Sequence, residues 1–94
     1  MKKIMQFLKD NKYECRYINT VTKSHYGGKS FYNDGTFKED VYEIKKDNIF
    51  HYIHHKSTGR PQFLLYNDKE GDNILLLSFS QNDFITQLQM RYLL

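Results

Sequence analysis

The chain has no alanine and no tryptophan, and only one proline and one cysteine among its 94 residues. A lone cysteine, Cys15, excludes an intrachain disulfide. Small secreted domains usually depend on such staples, so a reducing, cytoplasmic setting is expected. No apolar run approaches the ~18 residues that a membrane-spanning helix requires, which excludes a membrane reading of that kind. The first residues start like a signal peptide but lack its apolar stretch, because Lys9 and Asp10 interrupt them. Neither sign of charge dominates: fourteen Lys and Arg stand against eleven Asp and Glu, a net charge of +3. The two signs are interspersed, so there is no basic stripe. Nucleic-acid binding is expected to be weak and electrostatic at most.

The missing alanine contrasts with an abundance of Lys, Asn, Ile, Tyr and Phe. Those five have A/T-rich codons and alanine has G/C-rich ones, so the composition points to a low-GC bacterial genome or a phage or plasmid within one. Eight Tyr and seven Phe supply the core of a single domain over residues 1–94. A chain of this size buries roughly 60–65% of the surface that its unfolded form exposes.

Met1, Ile4, Met5 and Leu8 recur at helical spacing, which predicts a short amphipathic helix over 2–11, with Asn11 as its stop. Tyr13, Cys15, Tyr17 and Val21 then alternate with Lys12, Glu14 and Arg16, the period of a half-buried strand. Residues 22–40 lack periodicity but carry Gly27-Gly28 and Asn33-Asp34-Gly35, and the second turn would join 30–32 to 36–38 as a small hairpin. Four runs follow: Val41–Lys46, Ile49–Lys56, Gln62–Tyr66 and Ile74–Ser80. Their separators are too short for parallel crossovers, so neighbours must be antiparallel. Ser80 then caps a final helix, with Asp83 at its third position and Phe84, Leu88 and Tyr92 recurring every four residues. The expected fold is α+β: an antiparallel meander sheet of four to six strands flanked by short N- and C-terminal helices.

A two-residue turn at Asp47-Asn48 would pair Lys46 with Ile49. Tyr42, Ile44, Ile49 and Ile53 then share one face, and Glu43, Lys45, Phe50, Tyr52 and His54 the other. If Tyr66 pairs with Ile74, Phe63, Leu65, Leu75, Leu77 and Phe79 form the stronger core face. Gln62, Leu64, Tyr66, Ile74, Leu76 and Ser78 lie opposite. Strands apolar on both sides want both sides covered, and two short helices hardly suffice. The alternative, of equal weight, is that one helix packs on each side or that 22–40 folds over the second face. From this spare surface Phe50, Tyr52, His54, Leu64, Tyr66 and Leu76 are the candidate partner-binding residues.

No catalytic, cofactor or metal site is expected. Gly27-Gly28-Lys29-Ser30 resembles the tail of a phosphate loop, but Lys23 stands where the first glycine is needed and no helix start follows. His51 and His55 share a strand face with His54 on the other, so the three cannot converge on one zinc ion. Cys15 lies mid-strand among tyrosines, the position of a buried and inert thiol. The first functional reading is therefore a small non-enzymatic protein-binding module: an accessory or inhibitor protein of a phage or mobile element that occludes a host protein, or one that pairs with itself as a homodimer. The second is a single-strand nucleic-acid binder that stacks bases on Phe50, Tyr52 and Tyr66, with Lys45, Lys56 and Arg60 on phosphates. A small histidine enzyme ranks third.

Overall fold

The computed structural model describes residues 1–24 and 36–91. In chain order these form α1 (Lys2–Asp10), β1 (Glu14–Ser24), β2 (Thr36–Lys46), β3 (Ile49–Lys56), β4 (Gln62–Tyr66), β5 (Ile74–Ser78) and α2 (Gln81–Arg91). The five strands lie in one sheet in sequence order, each antiparallel to the next. The expected α+β meander is the observed fold.

Local chemistry explains the corners. Asn11 ends α1, its side-chain amide donating to the Phe7 carbonyl at 2.7 Å. Asp47 and Asn48 both take left-handed backbone angles, φ 53° and 64°, as a two-residue hairpin turn demands. Lys46 accordingly pairs with Ile49. At the start of α2 the Ser80 hydroxyl accepts the Asp83 N–H at 3.1 Å. Ser78 donates its own hydroxyl to the Asp83 carboxylate at 2.6 Å. That bond, with a second from Gln87, holds the Asp83 carboxyl below the usual range.

The expected small hairpin lies largely outside the described residues. Thr36–Lys38 opens β2 and pairs with the end of β1, opposite Thr22–Ser24. Its other arm, 30–32, lies outside the described residues, as do the two glycine turns.

Two irregularities decide which side chains face inward. In β1 the pairing jumps from Tyr17–Tyr42 to Asn19–Val41, leaving Ile18 as an extra residue. Cys15 and Tyr17 therefore face the helices, but Val21 is opposite Glu39 on the other side of the sheet. In β5 the pairing runs from Tyr66–Ile74 to Leu65–Leu76. The expected Tyr66–Ile74 pair is present, yet the extra residue, Leu75, inverts everything after it. Leu76 rather than Leu77 joins the core: Leu76 is 3% exposed and Leu77 45%.

That core is built from both helices on a single sheet face. Ile4 and Leu8 of α1 and Phe84 and Leu88 of α2 meet Ile44, Ile53, Phe63, Leu65 and Leu76. The Gln81 side-chain carbonyl ties the helices together, accepting the Lys3 and Ile4 N–H groups at 3.0 and 3.4 Å. The opposite face nonetheless buries Val41, Leu64 and Tyr66, together with Glu39 and His54.

Leu76→Lys is expected to cost roughly 3–5 kcal/mol, because it drives an unpaired charge into the core. Leu77→Lys should stay within about 0.5–1 kcal/mol of the parent. Urea melts of the two variants check this. The reverse ranking would mean that β5 has no extra residue.

Candidate interaction surface

Of the six residues expected at a spare surface, four are interior. His54, Leu64 and Tyr66 do lie on the face away from the helices, but that face is covered. Leu76 is on the helix side because of the extra residue in β5. Phe50 is exposed and Tyr52 half-buried.

The cover over His54 and Tyr66 is the β4–β5 connection, residues 67–73. Gly71 sits so close that a Cβ built on it would lie 3.1 Å from His54 Cε1 and 3.4 Å from Tyr66 Cζ. Lys23 Nζ approaches the same spot and reaches the Glu70 carbonyl at 3.5 Å. Asp68 shapes the connection by accepting the backbone N–H groups of Asp72 and Asn73, at 2.8 and 3.1 Å.

Beneath this cover His54 Nδ1 is hydrogen-bonded to Glu39 Oε1 at 3.2 Å, with both side chains almost fully buried. The Tyr66 ring meets the imidazole edge-on, with centroids 4.5 Å apart. Burial, then the charges of Glu39 and Asp68, push the Tyr66 hydroxyl up to about 12. Among the described residues His54 Nε2 has no hydrogen-bond partner. A carboxyl–imidazole pair is the usual core of a general base; here both side chains are almost fully buried, and Cys15 is on the opposite sheet face. The pair cross-links β2 to β3 within the second core. The periodic reading missed it by starting the strand at Val41. Carrying the alternation two residues further back places Glu39 on the face of Val41 and His54.

His51 and His55 take the helix-side face, as the alternation requires. His51 pairs with Ile44, and His55 stacks flat on Phe63 with centroids 4.6 Å apart. Burial lowers the pKa of both. No group of three His, Cys, Asp or Glu side chains able to hold a metal occurs among the described residues. No described helix is long and apolar enough to cross a membrane.

Exposed apolar side chains occur on α1, β1, β3 and α2 (Met5, Tyr17, Ile49, Phe50, Met90), and three more lie along β5 and its end. Ile74 and Leu77 are 58% and 45% exposed, and Phe79, just past the strand, is 40% exposed. The Arg60 guanidinium lies 3.9 Å above the centroid of the Phe79 ring. β5 is an edge strand, and 74–80 contains no charged residue. Edge strands are normally guarded by charge, proline or a bulge that turns the strand away. The opposite edge, β1, carries Glu14, Arg16 and Lys23. On β5 the helix supplies part of the guard: Gln87 Nε2 donates to the Leu77 carbonyl at 3.3 Å.

The proposed base-stacking set does not assemble. Tyr66 is buried. Lys45 lies over Phe50, Lys56 over Phe37 and Arg60 over Phe79. Phe50 and Lys56 are roughly 20 Å apart along β3.

Gly71→Ala should destabilise by roughly 1–2 kcal/mol from its left-handed backbone alone, φ +81°, and by more through collision with His54. Gly59→Ala, also left-handed but with a Cβ that would meet only the flexible Lys56 ammonium at 3.8 Å, should cost only the backbone part. Denaturant melts that rank Gly59→Ala as the worse variant would refute the close seat over His54. Burial raises the pKa of the Cys15 thiol. Its alkylation rate should therefore keep climbing above pH ~9.5, where a free thiol has levelled off. No protein-family model matches the chain, no curated protein matches it, and no solved structure matches it.

Proposed function

We propose that the protein is a non-enzymatic module that binds another protein through the outer surface of β5 and acts by covering that partner. The observation that supports it is the uncharged edge strand with Ile74, Leu77 and Phe79 exposed along it and Arg60 stacked on Phe79. Aromatic, aliphatic and arginine side chains of this kind make the anchors of protein interfaces, and their burial gives most of the affinity. Met90, one turn beyond Gln87 on α2, is also exposed and extends the apolar surface. Because Gln87 occupies the Leu77 carbonyl, recognition reads side chains rather than adding a strand.

The composition supports an origin in a phage or mobile element of an A/T-rich bacterium, with a host protein as partner. The single free thiol supports a cytoplasmic site of action. Nucleic acid is the weaker reading, since the aromatic rings that would stack bases are buried or scattered.

Tagged protein incubated with nuclease-treated lysate of an A/T-rich bacterium should retain one protein in stoichiometric amount. Leu77→Lys and Phe79→Ser should each weaken that retention about tenfold while melting like the parent. Retention that nuclease removes would favour the nucleic-acid reading. Retention unchanged in Leu77→Lys would place the interface elsewhere.

A further inference from the structure

At the other edge of the sheet, remote from β5, α1 and the start of β1 enclose a groove of about 360 Å³. The volume falls within the range of small-molecule sites, roughly 300–1,000 Å³. One wall is the stripe Lys2, Met5, Gln6 and Lys9, residues at i, i+3, i+4 and i+7 that lie beside the buried stripe of Ile4 and Leu8. The other wall is Tyr13 and Cys15.

The charged side chains that line this groove are Lys2 and Lys9; burial, then the charge of nearby Asp47, raises the pKa of the Tyr13 hydroxyl. Lys2 and Lys9 are set about 10 Å apart along the helix axis, and among the described residues no Asp or Glu lines the groove. The nearest acid on the helix, Asp10, is engaged by the Gln6 amide at 2.8 Å. A third ammonium, Lys46 Nζ, lies 4.8 Å from the Tyr13 ring centroid and donates to the Asn11 carbonyl. Between the lysines the surface is soft and apolar: a thioether, an aromatic ring and a thiol. Burial keeps that thiol protonated at neutral pH, so it neither repels an anion nor attacks a ligand.

We propose that this groove binds a small amphiphilic anion, an apolar body of medium chain length carrying one carboxylate. The body lies against Met5, Tyr13 and Cys15, and the carboxylate engages Lys2 or Lys9. A cation of the same shape meets the two lining lysines and is rejected. A neutral analogue keeps only the apolar contact. The site is independent of the β5 surface, and either can fail without the other.

Sodium decanoate, kept below its micellar concentration, is the probe, titrated into the isotope-labelled full chain. Amide shifts should concentrate at Lys2, Met5, Gln6, Lys9, Tyr13 and Cys15. Alkylation of Cys15, the sole cysteine, should slow as the site fills. Lys2→Gln combined with Lys9→Gln should weaken binding about fivefold while leaving the melting temperature unchanged. Decyltrimethylammonium should produce no such shifts. The proposal is overturned if the shifts scatter over the surface or gather on β5, if the ammonium compound binds as well as the carboxylate, or if the double glutamine variant binds decanoate like the parent.

Discussion

Between the Tyr66–Ile74 pair and the Leu65–Leu76 pair, β4 advances by one residue and β5 by two. Side chains in a strand alternate, so the extra residue exchanges the inner and outer sets from that point on. Leu76 then reaches the core beneath Phe84 and Leu88. Ser78 follows on the same side and meets the start of α2, where its hydroxyl holds Asp83. Without the shift Ser78 would point away from the helix and Leu77 would occupy the core. The placement of α2, the cap that starts it and the apolar edge left outside all descend from this one local irregularity.

Much of the architecture was legible in the sequence because it rests on short-range rules. Asp47-Asn48 marked a two-residue turn, Ser80 with Asp83 marked a helix start, and short separators forced antiparallel neighbours. The alternation of Tyr42, Ile44 and Ile53 against Glu43 and Tyr52 gave the faces of β2 and β3 correctly. Ile74-Leu75-Leu76-Leu77 could not be read this way, because a run of like residues looks the same in either parity. Val21 was misplaced for a related reason: nothing in Ile18 announces an extra residue. The candidate surface inherited these errors. It placed Leu76 outward, and it weighed a helix or 22–40 as the cover of the second face but not 67–73, because a loop with polar ends gives no periodic sign that it folds back over a sheet.

That second face deserves its own physical account. Glu39 and His54 are polar groups in a nearly waterless layer, and each is tolerable there chiefly because of the other. Removing either partner would leave the remaining one stranded. Glycine at position 71 is what permits the cover to close, since any side chain there would have to displace His54 or Lys23. A small apolar layer of Val41, Leu64 and Tyr66 surrounds the pair. The sheet is therefore sandwiched, by two helices on one side and by a connection on the other.

The sheet order follows the chain order without exception, so every strand pairing joins segments adjacent in sequence. Loop-closure entropy for such pairings is small, and the sheet can assemble hairpin by hairpin on the fast side of the range for β-rich proteins. The contact of α1 with α2, fastened by Gln81 onto Lys3 and Ile4, is different in kind, because it joins segments nearly eighty residues apart. Its loop-closure cost falls once the sheet has brought those segments together. A nascent chain leaving the ribosome would thus hold a formed meander with part of its apolar face uncovered until α2 emerged. Co-translational exposure of that face, rather than weakness of the finished fold, sets the interval in which the protein is open to aggregation.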